Sequence, residues 1–110
     1  MPARQDAVLA RLRKICLALP EATECLTFGH PTFRVRKKSF CFYGDEGESS
    51  ITVKVGVEIQ PVFLKDPRFH KTHYIGKHGW VTLRPGRPDW EEITELVHSS
   101  YRLASPKKAR

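Results

Sequence analysis

The sequence predicts an α+β fold, a two-layer sandwich in which an antiparallel sheet of about five strands packs against helices. Three observations predict it. Apolar residues recur at helical spacing near both ends, apolar and polar residues alternate through the middle, and glycine-marked or charged turns separate the alternating runs. The expected order is α-β-β-β-α-β-β-α in a single domain over residues 1–110, because 110 residues support one core.

The first element is an amphipathic helix, since Val8, Leu12, Ile15, Cys16 and Leu19 share a stripe while Arg11, Arg13 and Lys14 fill much of the remainder. Pro20 stops it. A short extended lead-in, Glu24 to Phe28, runs into the turn signal Gly29-His30-Pro31. From Thr32 to Tyr43 the alternation describes a strand that runs in, turns at the cationic tip Arg36-Lys37-Lys38 and returns. This pattern places Phe33, Val35, Phe40 and Phe42 on the core face. After the acidic loop Gly44 to Ser50 comes a third strand, Ile51 to Val55. The opposite face of the meander then shows Arg34, Arg36, Cys41, Tyr43, Thr52 and Lys54.

A short helix is expected from Glu58 to Lys65, with Pro61 tolerated in its first turn and Asp66-Pro67 ending it. Two further strands, Phe69 to Ile75 and Trp80 to Arg84, flank the glycine-bracketed turn Gly76-Lys77-His78-Gly79, a second cationic tip. The last helix opens at Asp89, which can cap it, while Glu92 can reach back to close a capping box. Trp90, Ile93, Val97 and Tyr101 give its stripe. The basic segment 105–110 reads as a flexible tail.

The chain carries a formal net charge of +7 and a sequence pI of about 9.6, which draws it toward polyanions. The charge is clustered: Lys65, Arg68, Lys71, Lys77, Arg84 and Arg87 face only Asp66 in that stretch. Cys16, Cys25 and Cys41 are odd in number and lack metal-type spacing, so they read as free thiols of a reducing compartment, the cytoplasm. Charges interrupt the amino-terminal segment, and no run of about 18 apolar residues occurs. Export and membrane insertion are therefore not expected.

Catalysis and metal binding find no pattern to carry them. His70 and His73 are three apart, which sends them to opposite faces of a strand, and no Cys-x-x-Cys, phosphate loop or nucleophile elbow is present. No catalytic residue, metal or cofactor is expected. Tyr43 and Tyr74 lie near the two cationic tips, where rings could stack on bases or simply pack against the sheet.

Taken together, Leu19-Pro20-Glu21, Phe28-Gly29-His30-Pro31-Thr32-Phe33-Arg34-Val35 with Lys37-Lys38, Asp66-Pro67-Arg68-Phe69, Gly76-Lys77-His78-Gly79-Trp80-Val81 and Ser100-Tyr101-Arg102 resemble the MmcQ/YjbR family of small bacterial proteins. The resemblance implies a fold similar to type III secretion chaperones. It also implies DNA binding through two wing-like hairpins, with Arg34, Arg36, Lys37 and Lys38 on one and Lys77 and His78 on the other. Lys54 and Lys71 extend this basic set along neighbouring strands. The expected partner is nucleic acid, DNA in particular, contacted at its phosphates with little sequence preference. The rival expectation is a protein-binding adaptor or small chaperone whose basic turns are incidental. The nucleic-acid expectation requires both tips to lie at one end of the sheet and to escape neutralisation by carboxylates.

Overall fold

In the computed structural model, residues 3–44, 49–72, 75–84 and 88–105 are described, with side chains from residue 7 onward. Helix α1 spans Ala3–Leu17, followed by strands β1 (Ala22–Thr27), β2 (His30–Val35), β3 (Lys38–Gly44) and β4 (Ser50–Lys54). Helix α2 (Gln60–Leu64), strand β5 (Phe69–Lys71), a 3-10 turn at Ile75–His78, strand β6 (Trp80–Leu83) and helix α3 (Trp90–Ala104) complete the chain. The fold is α+β as expected, with a six-stranded sheet in the order β1-β2-β3-β4-β6-β5 and antiparallel pairing throughout.

Two elements differ from the expected order. The lead-in before Gly29 is a full strand, β1, paired over its length from Ala22↔Val35 to Thr27↔His30. Strand β5 stops at Lys71, and the expected glycine turn is a 3-10 segment. The tip at 45–48, His73, Tyr74, Arg87 and the tail from residue 106 fall outside the described residues.

The core lies between one face of the sheet and the helices. Val8, Leu12 and Cys16 from α1 and Ile93, Leu96 and Val97 from α3 bury against Phe33, Val35, Phe40, Ile51, Val53, Val81 and Leu83. The helical stripes read from the sequence are thus the packed faces. Asp89 caps α3 by accepting from the Glu92 amide at 3.2 Å. The Glu92 carboxylate does not complete the capping box; it binds Arg68 at 2.8 and 3.0 Å.

The expected facing of β3 is overturned from Cys41 to Tyr43. Phe33 pairs with Cys41 but Arg34 pairs with Ser39, so Phe40 is an extra residue in β3 and bulges the ladder. Phe40 and Cys41 therefore both turn into the core. From there the alternation is inverted. Tyr43 is buried in the core, with its hydroxyl 3.2 Å from Ser49 Oγ, and Phe42 moves to the opposite face against Trp80.

Candidate functional site

The eight basic positions expected to bind a polyanion divide into structural and unpaired groups. The β2–β3 connection is a two-residue turn in which Arg36 and Lys37 both have positive φ, 49° and 73°. That geometry matches the twist of a hairpin, but it normally selects Asn-Gly, because a Cβ is costly in left-handed backbone. Side-chain hydrogen bonds hold it. Arg34 Nη2 donates to the Lys37 carbonyl at 3.0 Å, and Arg34 Nη1 lies 3.9 Å from Cys25 Sγ. Arg36 grips Glu21 with two hydrogen bonds, Nε to Oε1 at 2.7 Å and Nη2 to Oε2 at 3.1 Å. Arg34 and Arg36 are therefore turn-building residues, and the Arg36 charge is balanced by Glu21.

Lys37 and Lys38 stand at the tip with exposed side chains and no ion pair among the described residues. Lys77 and His78 are likewise exposed in the 3-10 turn, and Lys71 is exposed on the edge strand β5. Lys54 is half-buried at the end of β4, opposite Trp80. By contrast Arg68, also in the basic stretch, is neutralised by Asp66 and Glu92.

Register fixes where the two turns leave the sheet. Cys41, Val53 and Val81 form one cross-strand row. From that row Lys37 lies four residues back along β3 and His78 three residues back along β6, toward the same end of the sheet. Strand β4 alone separates β3 from β6, so the strands carrying the two turns run about 10 Å apart. The tips are not splayed to opposite ends.

The second turn is held by a residue that the sequence reading did not single out. Gln60, buried at the start of α2, donates through Nε2 to the Gly76 carbonyl at 2.7 Å and to the Trp80 carbonyl at 2.9 Å. Gly79 lies so close to the segment just after β4 that a Cβ there would meet the Gly56 carbonyl carbon at 2.6 Å. The Gly79 carbonyl accepts from Val55 and Gly56 at 2.8 and 3.1 Å. The turn bearing Lys77 and His78 is thus pinned to Val55 and Gly56, which continue β4, the strand beside the first hairpin.

The face of the sheet turned away from α1 and α3 carries a cavity of about 870 Å³, lined in part by Phe28, Phe42, Thr52, His70, Thr82 and Arg84. Among the described residues no group of three His, Cys, Asp or Glu could hold a metal ion. The Cys41 thiol is pushed well up by burial, and next by its hydrogen bond with Cys16, so it is held in the neutral form.

A family model named YjbR matches residues 17–103, which takes in every strand, α2 and nearly all of α3. The chain belongs to the YjbR family. All eight expected site residues fall within the YjbR segment, and α1 lies almost wholly before it. The YjbR chain is similar in fold to a crystal structure of Deinococcus radiodurans protein DR2400, of domain DUF419, with a TM-score of 0.74 at 24% identity. That likeness covers 90% of this chain and 79% of the other. A Pseudomonas syringae protein of known structure gives a TM-score of 0.68 at 18% identity, covering 96% of this chain and 100% of the other. No curated protein matches the sequence. Among the described residues no helix is long and apolar enough to cross a membrane.

Proposed function

We propose that this YjbR protein binds nucleic acid, DNA in particular, by placing the cations of two neighbouring turns against backbone phosphates. The observation that carries the reading is the shared position of the turns. Lys37 and Lys38 on one and Lys77 and His78 on the other leave the same end of the sheet, and no carboxylate among the described residues pairs with them. Lys54 and Lys71 continue the basic set along β4 and β5. Phosphate contacts of this kind fix position without reading base edges, so sequence preference is small. The three free thiols fit a reducing compartment, the cytoplasm.

With about four phosphates neutralised, log affinity for duplex falls against log salt with a slope of roughly −3.6. The decisive variant is the double change Lys37→Glu, Lys38→Glu. Loss of retention on labelled oligonucleotides with an unchanged melting temperature is the expected result; intact retention overturns the reading.

A protein-binding role has one observation of its own. Strand β1 is a sheet edge, with Leu26 71% exposed on it and Phe28 97% exposed at the turn that follows, an arrangement suited to a partner strand. In that case the wild-type protein itself fails to retain the oligonucleotides, which the same experiment detects.

A further inference from the structure

Four strands bring one row of side chains together on the face away from α1 and α3. Phe42, Thr52, Thr82 and His70 stand opposite one another in the register and floor the cavity of about 870 Å³. A space of that size takes a nucleotide-sized ligand.

Its chemistry is specific in three ways. Among the described residues, His30, His70 and Arg84 line the cavity and no aspartate or glutamate does. The hydroxyls of Thr52, Thr82 and Thr72 form a chain, with contacts of 2.8 and 3.0 Å through Thr82. Three hydroxyl protons serve two bonds, so one proton is left to donate to a ligand. Flat apolar surface is supplied by Phe42, which is braced by Trp80 at a ring separation of 5.3 Å, and by Phe28, 97% exposed at the β1–β2 turn.

We propose that this groove holds a single nucleotide unit, its phosphate beside His70, Arg84 and the spare threonine proton, and its base against Phe42 and Phe28. The proposal rests on the nucleic-acid reading for its class of ligand, and it adds a site distinct from the lysine turns. Duplex DNA keeps its bases stacked and paired, so only a free mononucleotide or an unpaired strand can fill the groove.

The state of His70 accords with this site. Burial, and next the nearby Arg84 charge, hold its imidazole below the ordinary histidine range. Among the described residues β6 and α2, which pack on β5, carry no charged side chain, and Arg84 just beyond β6 is the charge that bears on His70. A bound phosphate reverses that environment, so His70 takes up a proton on binding and affinity rises as pH falls.

The test uses adenosine 5′-monophosphate and a 5′-phosphorylated deoxyadenosine tetranucleotide as probes, followed by amide chemical shifts of the full chain at pH 6. The amides of Phe42, Thr52, His70 and Thr82 are expected to move. His70→Gln and Phe28→Ala, both at exposed positions, should each weaken binding about tenfold. Binding of the mononucleotide marks a free-nucleotide site, and binding of the tetranucleotide alone marks a strand-end site. Silence of the groove amides with both probes, or adenosine binding as tightly as its monophosphate, overturns the proposal. If the lysine double change abolishes DNA retention while the groove is silent, the hairpin reading stands and the groove falls. If the groove responds while that variant retains DNA, the reverse holds.

Discussion

The Ser100 hydroxyl donates to the Phe40 carbonyl at 2.6 Å across 60 residues of sequence, and it accepts from the Lys54 amide at 2.9 Å. Phe40 and Lys54 come next after Cys41↔Val53 along β3 and β4, but the ladder ends at that pair and Ser100 bridges the two instead. The bulge at Phe40 opens that ladder, and a fully buried side chain of α3 closes the gap. Ser100→Ala leaves two buried backbone groups unpaired and should cost about 2 kcal/mol, read as a lower urea midpoint with an unchanged slope.

Gln60 does the same for the second turn by capturing the Gly76 and Trp80 carbonyls. Gln60→Leu keeps the bulk but removes one of two donors to each carbonyl, leaving the Gly79 amide on Gly76 and the Thr72 amide on Trp80, at a cost of about 1 kcal/mol. Amide exchange in Ile75–His78 should accelerate well ahead of exchange in β2 and β3, and exchange that stays uniform speaks against the clamp.

Lys37 separates stability from binding. With φ at 73° it occupies backbone that glycine tolerates better. Relief of the Cβ penalty outweighs the added chain entropy, so Lys37→Gly should stabilise the fold by about 0.5–1 kcal/mol. The same change removes one of the proposed phosphate contacts. A higher melting temperature paired with weaker DNA retention is the signature.

Glu21 restrains the first tip by holding Arg36. Glu21→Gln leaves a hydrogen-bonding side chain but no carboxylate, which frees the Arg36 charge for phosphate. Affinity for DNA should rise and the salt slope should steepen by about one unit. An unaltered slope indicates that Arg36 serves the turn alone.

His70 sets a pH dependence of stability. Its pKa is lower in the folded chain than the ordinary histidine value of 6.5, so the unfolded chain binds the proton more readily. Its contribution is fully present above that ordinary value and is lost as pH falls through the lowered folded pKa. Thermal melts between pH 7.5 and 5 should show this decline, and His70→Gln should flatten part of it.

The helices and strands were legible because burial imposes period: Leu12 and Cys16 on α1, and Ile93 and Val97 on α3, lie where their spacing put them. The lysine turns were legible too, since charge at a turn is local information. Facing along β3 was not, because the bulge at Phe40 shifts the register there, and its carbonyl is met by Ser100 from the far end of the chain. Strand β1 was read only as a lead-in because Ala22 to Thr27 lacks clean alternation, and its pairing with β2 makes it a strand. The neutralisation of Arg36 was also hidden, as Glu21 lies 15 residues away. The groove was invisible for a related reason: Phe42, Thr52, His70 and Thr82 are unremarkable singly, and only the register makes them neighbours.

The placement of β6 between β4 and β5 has a consequence for synthesis. A nascent chain that has emerged as far as Lys71 holds a strand with no seat, because its neighbour has yet to leave the ribosome. Until Leu83 appears, the flank of β4 is an open template for strands of other chains. The growing chain therefore exposes the five-residue β4 edge that β6 covers in the finished sheet.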